Sequence, residues 1–145
     1  MKTVYDKATR DELIARIKTL NENSKAQWGK MTIYQMLKHC TLWEEMIVGK
    51  TTYKRAFIGL LFGKIALKDI LRNPIKQSMP TMTELKTTGS GDVLAERDKW
   101  VSQIEEYGHS LNPQCIHAFF GKLTKEQIGQ LVYKHTDHHL RQFNS

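Results

Sequence analysis

The stretch His135-Thr136-Asp137-His138-His139-Leu140-Arg141-Gln142-Phe143 decides how this chain is read. Placed on a helical wheel at roughly 100° per residue, it continues a buried stripe marked by Ile128, Leu131, Val132 and Phe143. His135 and His139 fall in the middle of that stripe, one turn apart, so their imidazoles point inward and stack one above the other. Asp137 and Arg141 fall on the outer side, His138 on the flank, and Gln142 near the stripe. Two imidazoles buried together are costly unless something satisfies them.

Outward from this stretch the pattern stays helical. Thr124-Lys-Glu-Gln127 is a capping box that opens the last helix, which runs to about Phe143. Thr9-Arg-Asp-Glu12 reads as another, opening a helix to about Asn23 with Leu13, Ile14, Ile17 and Leu20 inward. After a linker carrying Trp28 and Gly29, Thr32 caps a helix that Gly49 stops after Val48. Its apolar positions are Ile33, Met36, Leu37, Cys40, Trp43 and Ile47; Glu44 and Glu45 read as its solvated edge, with a pocket acid at one of them as the alternative. Tyr53 to Arg72 predicts a third helix, or two short ones, weakened at Gly59 and Gly63. A long connection follows from Pro74 to Gly91; connections of this length are often functional or mobile. Asp92 to Tyr107 predicts a helix with Val93, Leu94, Trp100, Val101 and Ile104 inward, and Gly108 to Lys122 a loop. No strand alternation of useful length is present. The expectation is an all-α fold: a four-helix bundle with one additional short helix, forming a single domain over residues 1–145.

Composition narrows the function classes. The 145 residues are 40% hydrophobic and 26% charged, as in an ordinary globular domain. The longest apolar stretch, Ala56 to Leu71, is broken by Lys64, Lys68 and Asp69, which excludes a membrane span. No signal-peptide pattern opens the sequence. Cys40 and Cys115 read as reduced thiols, which suits a cytoplasmic protein. The formal charge of +7 is scattered, without the aromatic interleaving of a nucleic-acid groove. It reads first as an ordinary solvated surface, with attraction of a small anionic ligand as the lesser alternative and binding of nucleic acid behind both.

The histidines carry the chemistry. Neutral imidazole is a good ligand for zinc, nickel or iron, of which zinc or nickel is expected first, with iron or manganese as the alternatives. The i, i+4 spacing of His135 and His139 lets one helix offer two ligands to one ion. This is not the His-Glu-x-x-His of zinc peptidases, because Thr136 stands where the catalytic Glu would be. A third ligand must come from another helix, and His39, at the edge of the second helix's stripe, is the best candidate. Three histidines leave coordination positions open, as catalytic metals require. The alternative is that each histidine is a core residue bonded to a carbonyl or hydroxyl. His138 reads as a neighbour of the site or a surface group. His117, in Cys115-Ile-His-Ala-Phe-Phe-Gly121, is a further candidate for the pocket lining. Trp28, Trp43, Trp100 and Cys40 read as packing.

Three stretches together carry a family resemblance: Trp28-Gly-Lys-Met-Thr-Ile-Tyr-Gln-Met-Leu-Lys-His39-Cys, His117-Ala-Phe-Phe-Gly-Lys-Leu-Thr124, and His135-Thr-Asp-His-His139-Leu-Arg-Gln142-Phe. In them the chain resembles the DinB/YfiT-like superfamily, and within it an uncharacterised-domain branch. The resemblance implies an up-down-down-up four-helix bundle holding a metal on His39, His135 and His139. It implies small-molecule substrates, among them low-molecular-weight thiols, since the superfamily includes metal-dependent thiol transferases, isomerases and proteins described as hydrolases. It also implies a homodimer for many members. Use of His138 in place of His139 is sterically open. A non-catalytic bundle, with structural or ligand-binding histidines, is the competing expectation.

Overall fold

A computed structural model describes residues 1–109 and 115–145. Its five α-helices are α1 (Lys7–Thr19), α2 (Ile33–Ile47), α3 (Phe57–Arg72), α4 (Val93–Glu106) and α5 (Lys125–Gln142). A 3-10 turn covers Thr83–Leu85, and a two-stranded antiparallel hairpin pairs β1 (Ile116–His117) with β2 (Gly121–Lys122). The all-α expectation holds broadly, but the count differs. In place of four major helices and one short one there are five substantial helices.

Four of them close a ring: α4 packs on α1 and α2, and α5 packs on the same two from the other side. Their apolar stripes meet in one core containing Leu13, Ile17, Met36, Leu37, Trp100, Ile104, Ile128 and Leu140. The fifth, α3, lies outside the ring against α5 and the hairpin. Gly59 and Gly63 do not break it. They bring its backbone directly onto the Phe119 backbone, where a β-carbon would collide with the Phe119 carbonyl.

Helix ends follow local chemistry. The Thr32 and Thr124 hydroxyls cap α2 and α5, and Gln35 and Gln127 reach back in full capping boxes. The expected box at Thr9 is overturned. Asp6 caps α1 instead, accepting from the Thr9 N–H at 2.9 Å and the Thr9 hydroxyl at 2.8 Å. With its hydroxyl committed to Asp6, Thr9 sits inside the helix, and Glu12 pairs with Lys2. Three further expectations change. Leu94, in the first turn of α4, is solvent-exposed, not inward. Part of the expected loop before α5 is the hairpin, whose two-residue strands are too short for alternation to be read; residues 110–114 of that loop lie outside the described residues. Glu44, expected on a solvated edge, is fully buried. Among the described residues, no helix is long and apolar enough to cross a membrane.

Candidate metal centre

The three histidines singled out in the sequence come together. His39 projects from α2, and His135 and His139 project one turn apart from α5. One nitrogen from each lies within 4.8 Å of the others, the only such group of three potential ligands among the described residues. The Nε2 atoms of His39 and His135 stand 3.2 Å apart. The rings meet at centroid distances of 4.9 Å (His39–His139) and 4.7 Å (His135–His139).

What surrounds each ring fixes where its lone pair points. A carbonyl can only accept, so His39 donates Nδ1–H to the Leu85 carbonyl at 3.1 Å. Its Nε2 is left unprotonated and directed at the cluster. His139 is held the same way: its Nδ1 is 2.9 Å from Gln142 Oε1, and the Gln142 amide donates onward to the Trp28 carbonyl at 2.9 Å. That onward bond orients the amide so that its oxygen faces His139. Gly29, at φ +80°, lets the linker come this close, since a β-carbon there would press on the Gln142 amide. The His135 ring is stacked under Trp43 at 4.0 Å and 15°. Its Nδ1 is buried without a hydrogen-bond partner.

Burial, reinforced by the neighbouring imidazoles, holds His135 and His139 well below the usual histidine range. Burial also lowers His39, against the opposing pull of the Leu85 carbonyl. All three are therefore neutral at physiological pH, which is the ligand form of imidazole. The donor set suits a divalent cation. Nitrogens bound tetrahedrally at ~2.1 Å from zinc lie about 3.4 Å apart, close to the His39–His135 separation of 3.2 Å. His135 Nδ1 has no partner whether its Nε2 shares a proton with His39 or ligates a cation; what a cation would use is the converging lone pairs on the other side of the rings.

The other candidates are placed differently. His138 is buried beside the triad, edge-on to His139 at 5.2 Å and to Trp28 at 5.7 Å, and it is His139 that joins the cluster. His117 is buried, but its Nδ1 accepts from the backbone N–H groups of Phe119 and Phe120 at 3.1 and 3.2 Å. Burial, with Arg55 nearby, pushes its pKa down to about 4. Its free lone pair is thus spent on closing the hairpin turn. Asp137 faces α1, where it pairs with Arg16 at 2.8 Å.

Sequence reasoning missed two supporting groups and underrated a third. Trp43 reads as core, and it is core, but it also stacks a candidate ligand. The Leu85 carbonyl comes from the long connection, and no side-chain pattern announces a backbone acceptor. Gln142, three residues after His139, was within reach of the i, i+3 rule.

Residues 5–145 match the family model described as "Protein of unknown function (DUF1569)". The chain belongs to this family. No curated protein and no solved structure matches it.

Proposed function

We propose that this DUF1569 chain is a metal-dependent enzyme of DinB-like type, with a divalent cation held by His39, His135 and His139. The arrangement that carries the reading is the convergence of neutral imidazole nitrogens whose far sides are tied to Leu85 and Gln142. A cation on three histidines, with positions open, lowers the pKa of a water or thiol that joins it, giving a nucleophile at neutral pH. The protein's own residues do the positioning: Leu85 and Gln142 fix two ring tautomers, and Trp43 fixes the plane of the third. Zinc or nickel suits a three-imidazole set best, with iron or manganese next. The substrate proposed is a small molecule, of which a low-molecular-weight thiol is one class, with transfer or hydrolysis as the reaction.

The second reading is a non-catalytic bundle. The 3.2 Å contact between His39 and His135 supports it, because one N–H shared between two imidazoles can also hold a core together. Metal analysis of the purified protein separates the two. The enzyme reading expects one ion per chain, lost in His135→Ala. A protein that stays metal-free after incubation with zinc, nickel and manganese contradicts it.

A further inference from the structure

The helix outside the ring carries a surface that the proposed metal site does not use. Phe57, Ile58, Leu60, Leu61, Phe62 and Ile65, all in the first half of α3, are each between 56% and 75% exposed. Phe57, Leu61 and Ile65 repeat at i, i+4 and i+8, and Ile58 and Phe62 run beside them on the same outward face. The opposite face is already committed: Gly59, Gly63 and Leu67 are buried, the two glycines against the Phe119 backbone. Ordinary amphipathic helices put small or polar residues outward. Here the small residues face in and the large apolar ones face water.

We infer that this face is the contact by which two copies of the chain associate, α3 against α3 and antiparallel about a twofold near Leu61. Size is the first argument. At roughly 200 Å² per large side chain and the exposures found, the six leave about 800 Å² in water. That exceeds the largest apolar patch of a typical monomer and equals the share one partner gives to a standard interface. Self-complementarity is the second. A twofold at Leu61 sets Leu61 on its own copy, Phe57 on the copy's Ile65 and Leu60 on the copy's Phe62. Five of the six apolar positions thus meet another, while Ile58 meets the aliphatic stem of Lys64.

Charge selects a second copy over an anionic lipid surface. A helix lying in a membrane interface carries cations along the margins of its buried stripe. Between Phe57 and Ile65 only Lys64 is charged, and its ammonium is turned onto the Lys122 carbonyl at 2.7 Å. Lys54 and Arg55 precede this stretch and Lys68 and Arg72 follow it, outside what the antiparallel pair would cover, and Arg55 is turned onto the Ala118 carbonyl at 3.2 Å.

The test is mass by light scattering on the full chain at tens of micromolar, in the wild type and in Leu61→Glu. The expected result is a particle of about twice 16.8 kDa for the wild type, and the monomer mass for Leu61→Glu with unchanged far-UV circular dichroism. Because a charge at Leu61 could also perturb folding, Leu61→Cys gives an independent reading. The native thiols are both buried, so mild oxidation should give a covalent dimer in high yield with Leu61→Cys and none with Leu94→Cys, on an exposed residue of another helix. A monomeric wild type, a dimer indifferent to Leu61→Glu, or equal cross-linking at positions 61 and 94 overturns the inference. So does a monomer that sediments with phosphatidylserine vesicles. None of these outcomes depends on metal content.

Discussion

Two buried polar centres share α2, five residues apart, and they are built in opposite ways. At His39 the ring nitrogens are both engaged, one at Leu85 and one at the triad. At Glu44 the carboxyl faces α4, accepts one hydrogen bond from the Tyr107 hydroxyl at 2.7 Å, and leaves Oε1 without a partner. The Trp100 indole N–H faces Glu44 without reaching hydrogen-bond geometry. Burial is the dominant cause at both centres, and in both it favours the neutral form. It lowers the histidines and raises Glu44 to about 8. The outcome differs because neutral imidazoles gain lone pairs that can ligate, whereas a neutral carboxyl is only a tolerated polar group in the core. The triad is compatible with a ligand; Glu44 is a cost that varies with pH.

The largest effect expected from this contrast is at Glu44. An acid whose folded pKa lies above its unfolded value of 4.5 destabilises nothing below pH 4.5, where both states are protonated. Stability is then lost as pH rises, until the folded carboxyl also ionises near pH 8. The loss over that window is on the order of 5 kcal/mol. Glu44→Gln should remove this component, so that denaturant titrations of wild type and variant diverge steadily from pH 4.5 to 8. Parallel curves would show that Glu44 is not buried as a neutral acid.

Metal loading comes next. An ion present at a hundredfold its Kd stabilises the folded chain by about 2.7 kcal/mol. Chelation should therefore lower the Tm of wild type by several degrees, and leave His135→Ala unmoved. A chelator-insensitive wild type would mean that the triad is held by its own hydrogen bonds.

These two centres also show what a sequence can carry. The wheel placed His135 and His139 on one buried face because α5 is long, capped at Thr124 and regular in its apolar spacing. His39 was only permitted by its wheel position; its burial depends on Leu85, 46 residues away, which no local pattern encodes. Glu44 was misread for a related reason. Charged residues are rarely buried, and the compensating Tyr107 is the residue that closes the C-terminal end of α4. The helices were legible to within a few residues, except where Asp6 outcompeted Thr9 for the cap of α1. The outward apolar face of α3 was hidden by its own composition, since an apolar helix does not declare which side meets the core.

Two smaller effects sharpen the triad itself. Gln142→Ala should weaken metal affinity by roughly 10–100-fold, because His139 loses the acceptor that fixes its tautomer. Isothermal titration with zinc reads this directly, and an unchanged affinity would remove Gln142 from the account. His138→Ala should leave stoichiometry at one ion per chain, since its ring stands beside the cluster. Loss of the ion in that variant would assign the site to His138 instead of His139.

The central claim is that three imidazoles converge on one cation. X-ray absorption at the zinc edge of the zinc-loaded protein tests it most directly. The account predicts one zinc per chain with three histidine nitrogens at about 2.0–2.1 Å, completed by a light, non-protein ligand. A shell containing thiolate sulfur, or one of water oxygens without imidazole scattering, would contradict it.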